Sequence, residues 1–167
     1  MAISLRRFAR GDEHALVSLL NNAQVQRFLS PKIPYPYTEA DASWWVREGA
    51  QSEHIYAIEH DNELIGCISA TVGQFEYAKS AEVGYWLGQP YWHQGFASEA
   101  LQQLLSKLAH GTDLLRLHAV VFAGNKGSQA LLTRCGFVLE GRLRQAIVKQ
   151  GQRFDGLIYG LLLDDIR

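Results

Sequence analysis

The chain has 167 residues, 47% hydrophobic and 20% charged. That is ordinary for a globular domain and long enough for a core of its own. Sixteen basic residues against seventeen acidic leave a net charge of −1, which argues against a protein that works by neutralising nucleic-acid phosphates. No stretch approaches the ~20 apolar residues of a membrane span, and MAISLRRFARGDEH lacks the apolar run of a signal peptide. With Cys67 and Cys135 unpaired in apolar stretches, the expectation is a reduced, cytoplasmic protein with no membrane or nucleic-acid partner.

In chain order, Ile3 to Phe8 alternates as a strand, and Asp12 to Asn22 places Ala15, Leu16, Leu19 and Leu20 at helical spacing. SPKIPYPY, residues 30–37, holds three of the four prolines and reads as a loop. Thr38 then caps a helix, with Asp41 where a capping box wants an acid. Ile55 to Ile58 and Leu64 to Val72 are strands about the turn pair Asp61-Asn62, and Ala81 to Leu87 is a third. Phe96 to Ala109 is a helix with a wide apolar stripe: Ala97, Ala100, Leu101, Leu104, Leu105 and Leu108. Leu115 to Phe122 is nearly all apolar and reads as a central strand. Asn125 caps a short helix through Arg134, with Gly136 at its C′ position. Phe137 to Val148 and Phe154 to Leu163 are two long strands about KQGQ. Nothing resembles a repeat or linker. The sum is one α/β domain over residues 1–167, with a central mixed β-sheet and helices on both faces.

The stretch YWHQGFASEAL, residues 91–101, sets Gly95 at the mouth of a helix. A helix start carries unpaired N–H groups and partial positive charge, and phosphate oxygens suit it where no side chain blocks the backbone. Gly95 and Ala97 leave that approach open, and His93, Gln94 and Ser98 are further donors. The plainer reading of Gly95 is a helix-entry glycine that permits close packing. Downstream, NKGSQALLTRCGF, residues 125–137, adds a capping Asn, Ser128, the pair Leu131-Leu132 and Gly136-Phe137 ahead of a strand.

This succession of strand, G-x-A loop, helix, strand, N-x-x-S helix and G-F resembles the GNAT superfamily of acetyl-CoA-dependent N-acetyltransferases. PYPYTEADASWW, EVGYWLGQPYWHQGFASEAL and FVLEGRLRQAIVKQGQRFDGLIYGLL are similar to its RimJ/RimL branch, which modifies ribosomal-protein N-termini. The resemblance covers essentially the whole chain and implies the GNAT acyl-CoA N-acyltransferase fold. It places the pyrophosphate loop, [QR]-x-x-G-x-[GA], on Trp92, His93, Gln94, Gly95, Phe96 and Ala97. Trp92 departs from the Gln or Arg of that pattern, so backbone donors carry more of the phosphate binding. The resemblance also places the pantetheine arm against Tyr85, Trp86 and Leu87, with a strand bulge at Gly84 or Gly88.

Acetyl transfer to an amine needs an acceptor for the amine proton, a donor for the developing oxyanion and a proton for the leaving thiolate. The family's usual Tyr donor falls on Leu132, which has no proton to give; the branch pattern offers Ser128 instead. The other reading of Ser128 is a third-position helix serine bonded to backbone. Asn125 is a cap whose free amide atoms are also available to cofactor or substrate. Glu82, an acid in an apolar strand, is the candidate base; otherwise it is a solvent-facing strand glutamate or a water chain replaces it. His118 and His54 read as strand histidines of the core. The proline loop with Tyr35 and Tyr37, then Trp44 and Trp45, and the hairpin turn near Gln150 and Arg153 are the two candidate acceptor-choosing regions. The six histidines are scattered, with no metal-ligand spacing. The reading is an acetyl-CoA-dependent N-acetyltransferase acting on a primary amine, a protein N-terminus such as that of a ribosomal protein. Small-molecule amine acetylation and a non-catalytic acyl-CoA sensor stay open, and a homodimer is compatible with the aromatic surface.

Overall fold

A computed structural model describes residues 2–167. Seven strands hydrogen-bond in the order β1-β2-β3-β4-β5-β7-β6, a mixed sheet. They are β1 (Ile3–Arg6), β2 (Ile55–His60), β3 (Glu63–Val72), β4 (Ser80–Leu87), β5 (Arg116–Phe122), β6 (Val138–Lys149) and β7 (Gln152–Leu162). The helices are α1 (Glu13–Leu20), α2 (Ala23–Gln26), α3 (Glu39–Arg47), α4 (Phe96–Gly111) and α5 (Lys126–Arg134). The described residues fall into two compact units, and β3, β4 and α4 each contribute to both.

The first unit holds the chain up to Ser69 together with Tyr85–Ala100. β1, β2 and β3 run antiparallel within it, and the β2–β3 turn is made by Asp61 and Asn62 at φ 50 and 65, the left-handed pair that a two-residue hairpin needs. Thr38 Oγ1 accepts from Asp41 N while Asp41 Oδ2 accepts from Thr38 N, the expected capping box. The core gathers Phe8, Leu16, Leu20, Val25, Tyr37, Val46 and Leu64, with Trp45, Trp86 and Trp92 packed against it. α2, capped by Asn22, was not anticipated: four residues are too few for periodicity to register. β1 stops at Arg6, and buried Phe8 follows in a loop. His54 lies just before β2 rather than in a strand.

The second unit holds Ala70–Gly84 and Leu101–Arg167. Leu101, Leu104 and Leu108 of α4 are fully buried, as are Leu117 of β5 and Leu132 of α5. Ala97, expected in the stripe, is only half-buried. β5 pairs parallel with β4 and antiparallel with β7, so it is the interior strand that its apolar run foretold. α5 ends with Gly136 at φ +96, Gly136 N bonding to the Thr133 carbonyl and Phe137 N to that of Leu132. That is the paired closure a C′ glycine makes possible. β6 and β7 form the long hairpin, turning through Gln150 and Gly151 at φ 51 and 75.

One ion pair ties the N-terminal segment of the first unit. Arg6 Nη2 and Nη1 reach Asp12 Oδ1 and Oδ2 at 2.9 Å each, and Arg6 Nε reaches Glu59. Ala9 N also donates to Asp12 at 2.8 Å. Burial alone pushes the Asp12 carboxyl up, but Arg6 and the Ala9 N–H overcome it and hold it below its ordinary value of 3.8. A depressed folded-state value means the stabilisation is complete above that ordinary value and is lost as pH falls through the folded one. Asp12→Ala is expected to cost about 1.5–3 kcal/mol at neutral pH. The gap between variant and wild type should close on acidification below pH ~4, read from urea midpoints across pH; a gap that persists in acid refutes the assignment.

Candidate active site

Strand β4 ends at Leu87, and Gln89–Tyr91 form one 3-10 turn before the chain enters α4 at Phe96. Gly88 N bonds to the Ile65 carbonyl at 2.8 Å. A Cβ on Gly88 would meet Leu19 Cδ2 at 2.6 Å, so this glycine serves close packing, at φ −60, rather than a bulge. At Gly66 a Cβ would meet the Trp86 carbonyl oxygen at 2.4 Å; β3 gives up its side chain so that the β4 backbone can lie against it.

The loop itself is held from behind. Trp92 Nε1 donates to the Leu87 carbonyl at 2.8 Å, and the indole packs on the core of this unit. The tryptophan that replaces Gln or Arg is thus an anchor, and its one polar atom is spent inside. Gln94, expected as a further donor, has its side-chain amide turned back to the Pro90 carbonyl at 3.0 Å. His93 is exposed at φ +61, its ring edge-on to Trp92. Phe96 is buried and stacks on His60 at 4.5 Å between centroids.

Gly95 is the pivot. Its φ is +83, a conformation L side chains rarely adopt, and a Cβ there would meet nothing within 4 Å. Crowding therefore does not require glycine here; the backbone angle does. The close-packing reading fits Gly88, not Gly95. The first bond of the helical ladder runs from Glu99 N to the Gly95 carbonyl at 3.1 Å, so the N–H groups of Phe96 and Ala97 precede it and need partners from outside the helix. The only first-turn acid, Glu99, accepts from Ala2 N and Ile3 N through Oε1, each at 3.3 Å. Its negative charge is thereby partly met by backbone donors.

In the second unit, Asn125 Oδ1 caps α5 by accepting from Ser128 N at 3.2 Å. Among the described residues its Nδ2 donates to no protein atom, so the amide retains one unspent end. Ser128 is buried, 9% exposed, in the first turn of α5. Leu132, one turn on, is fully buried among apolar neighbours and offers no proton. Glu82 pairs in register with His118 of β5. It is exposed, opposite in parity to buried Ala81 and Val83, so the apolar surroundings expected of it are absent, and the solvent-facing reading describes its position. The β4–β5 ladder runs Ser80↔Arg116, Ala81↔Leu117, Glu82↔His118, while β5 continues along β7 to Phe122↔Gly156. Among the described residues no group of three or more His, Cys, Asp or Glu is placed to hold a metal.

The model of the acetyltransferase (GNAT) domain matches residues 3–138. The chain belongs to the GNAT acetyltransferase family. One relative, the uncharacterized N-acetyltransferase YoaA of Bacillus subtilis (strain 168), is 37% identical over 103 residues, 60% of this chain and 56% of that protein. The ribosomal-protein-serine acetyltransferase of Escherichia coli (strain K12) is 35% identical over 111 residues, 66% of this chain and 61% of that protein. The matches thus span less than two thirds of these relatives. Among solved structures, that of RimL, a ribosomal L7/L12 alpha-N-protein acetyltransferase in complex with coenzyme A, superposes with a TM-score of 0.86 at 28% identity, covering 98% of this chain and 96% of that one.

Sequence reasoning on this GNAT chain located the left-handed glycine and the α5 cap. It missed the roles of Trp92 as anchor and Glu99 as a clamp on the N-terminal strand, and no spacing signals either. Gly95→Ala forces a Cβ into the left-handed region and is expected to cost about 1 kcal/mol. Gly127→Ala, in open space near Asn125 and inside a helix, should instead be neutral or stabilising. Thermal melts of the two variants test this, and equal melting shifts would show that Gly95 is not constrained.

Proposed function

We propose that this chain moves the acetyl group of acetyl-CoA to a primary amine, and that the amine is a polypeptide N-terminus. The observation that carries the reading is the GNAT match over residues 3–138 joined to a left-handed, unobstructed Gly95 in the matched loop. Two similar proteins support the acceptor class: one is named a ribosomal-protein-serine acetyltransferase, the other an alpha-N-protein acetyltransferase solved with coenzyme A. In this reading residues 1–167 act as one domain in the cytoplasm, where acetyl-CoA and a buried, reduced Cys67 are both at home. Burial pushes that thiol up to about 12, which keeps it protonated and inert.

The backbone N–H groups around Gln94–Ala97 hold the diphosphate, since Trp92 and the Gln94 side chain are committed elsewhere. Tyr85, Trp86 and Leu87 present strand backbone to the pantetheine amides. The neutral amine attacks the thioester carbonyl, the C–N bond forms and the C–S bond breaks. The amine's proton leaves to solvent or Glu82, and the thiolate takes one through the Ser128 hydroxyl, which regains its proton from solvent, so that one proton is lost by the amine and one gained by CoA. Asn125 contributes its unspent Nδ2 to cofactor or substrate.

Gly95→Trp is expected to raise the dissociation constant for acetyl-CoA at least about tenfold, about 1.4 kcal/mol, by calorimetric titration; unchanged affinity would mean that the diphosphate lies elsewhere. Ser128→Ala should lower kcat about tenfold or more while the acetyl-CoA dissociation constant stays within about twofold. Full turnover in the variant removes Ser128 as the thiolate's donor. The assay is CoA release across an acceptor panel of peptides with free N-termini, polyamines and amino acids. Turnover confined to small amines overturns the polypeptide acceptor, and tight acetyl-CoA binding with no turnover on any amine establishes a sensor.

A further inference from the structure

β6 and β7 slip out of register where Leu143 faces Gly156 and Ile147 faces Phe154. Four steps along β6 match two along β7, so Arg144, Gln145 and Ala146 form a wide bulge, all three exposed. At its apex Gln145 stands at φ +55 without being glycine, a strained conformation that persists only when its surroundings over-determine it. The surroundings here are largely one residue. Asp155 Oδ1 accepts from Gln145 N at 2.8 Å, and Asp155 Oδ2 accepts from Arg142 Nη1 at 2.6 Å. The Asp155 carbonyl accepts from Ala123 N at 3.0 Å. Arg153 Nη1 adds a longer bond to Gln145 Oε1 at 3.3 Å. The Gln145 N–H and the Arg142 guanidinium hold the Asp155 carboxyl below the ordinary carboxylate value. One side chain therefore fixes the bulge from both ends, and the same residue's backbone fixes the turn two residues before the α5 cap Asn125.

With the Gln145 N–H held by Asp155, a bulge of this size leaves main-chain groups of Arg144 and Ala146 outside the β7 ladder. Such groups suit the main chain of a polypeptide better than a small amine. We propose that Asp155 is a positioning residue: it locks the 144–146 bulge into a fixed main-chain platform for the acceptor polypeptide, and leaves cofactor affinity untouched. The inference rests on the acceptor class proposed above and adds the residue that enforces it.

The test compares Asp155→Ala and Asp155→Asn with wild type. It reads hydrogen exchange at the Gln145 amide, the KM of a synthetic octapeptide with a free N-terminal serine, and the acetyl-CoA dissociation constant. Asp155→Ala should raise Gln145 exchange and peptide KM about tenfold each, one hydrogen bond's worth, with acetyl-CoA affinity within about twofold. Asp155→Asn keeps an oxygen for the Gln145 N–H and should recover most of both. Unchanged Gln145 exchange, an Asn variant no better than Ala, or peptide KM and acetyl-CoA affinity worsening together overturns the proposal. If Asp155→Ala does not fold, Arg142→Gln removes only the second tie and should raise peptide KM about threefold; no rise overturns it. A wild-type enzyme that acetylates polyamines but not the peptide overturns the acceptor class, and with it the platform. Gln145 exchange then still separates a failed acceptor from a failed clamp.

Discussion

An α-helix starts with more N–H groups than it can satisfy, and what surrounds those groups decides whether they become a site. At α4 the chain turns into the helix through Gly95 at φ +83, where even a methyl group would be strained by its own backbone. The neighbouring polar side chains are drawn away: Trp92 to Leu87, Gln94 to Pro90, Glu99 to the amides of Ala2 and Ile3. What remains at the helix mouth is backbone, with the exposed His93 ring beside it. For the diphosphate proposed above, such a mouth offers dipoles fixed in advance, with little side-chain entropy to lose on binding. The hydrogen bond from Trp92 to β4 also explains how the loop tolerates losing the Gln or Arg of the family pattern. Its rigidity comes from an indole on the core rather than from a charged donor on the ligand.

The chemistry proposed for α5 follows a similar economy. Asn125 spends Oδ1 on the cap, and this fixes the direction of its Nδ2. Ser128 is buried on the same first turn, and a hydroxyl is a side chain able both to donate and to accept. Leu132 occupies the position of the usual tyrosine and belongs wholly to the core. A protein that buries that position must move its thiolate proton from elsewhere or release CoA as the thiolate. Glu82 is exposed to solvent, which is compatible with either proton route proposed above.

Much of this was legible in residue order because the signals are local. The capping box at Thr38, the Asp61-Asn62 turn, the α4 stripe and the Gly136 closure each depend on residues within one turn of each other. The succession of elements implied a mixed sheet, but not the order in which β7 lies between β5 and β6. What could not be read was set by partners distant in sequence. Whether Glu82 meets apolar atoms or water depends on strand parity and on where the β4–β5 ladder stops. Whether Gln94 is a donor to ligand or to Pro90 depends on one rotamer.

The bulge in β6 shows the same limit in its clearest form. Nothing in LRQAI announces that Gln145 will take a left-handed backbone; glutamine has no preference for it. The conformation is imposed by a carboxylate ten residues later, which itself is held by an arginine three residues before the glutamine. Arg142, Gln145 and Asp155 therefore specify one another only once β6 and β7 have paired, and an acid in the middle of an apolar strand reads on its own as a solvent-facing interruption. The same pairing gives the two oxygens of this still solvent-accessible acid separate partners, Gln145 N and Arg142 Nη1. That makes Asp155 a structural element of the hairpin in the way Gly95 is of the loop: each goes with main-chain geometry that an ordinary residue does not prefer.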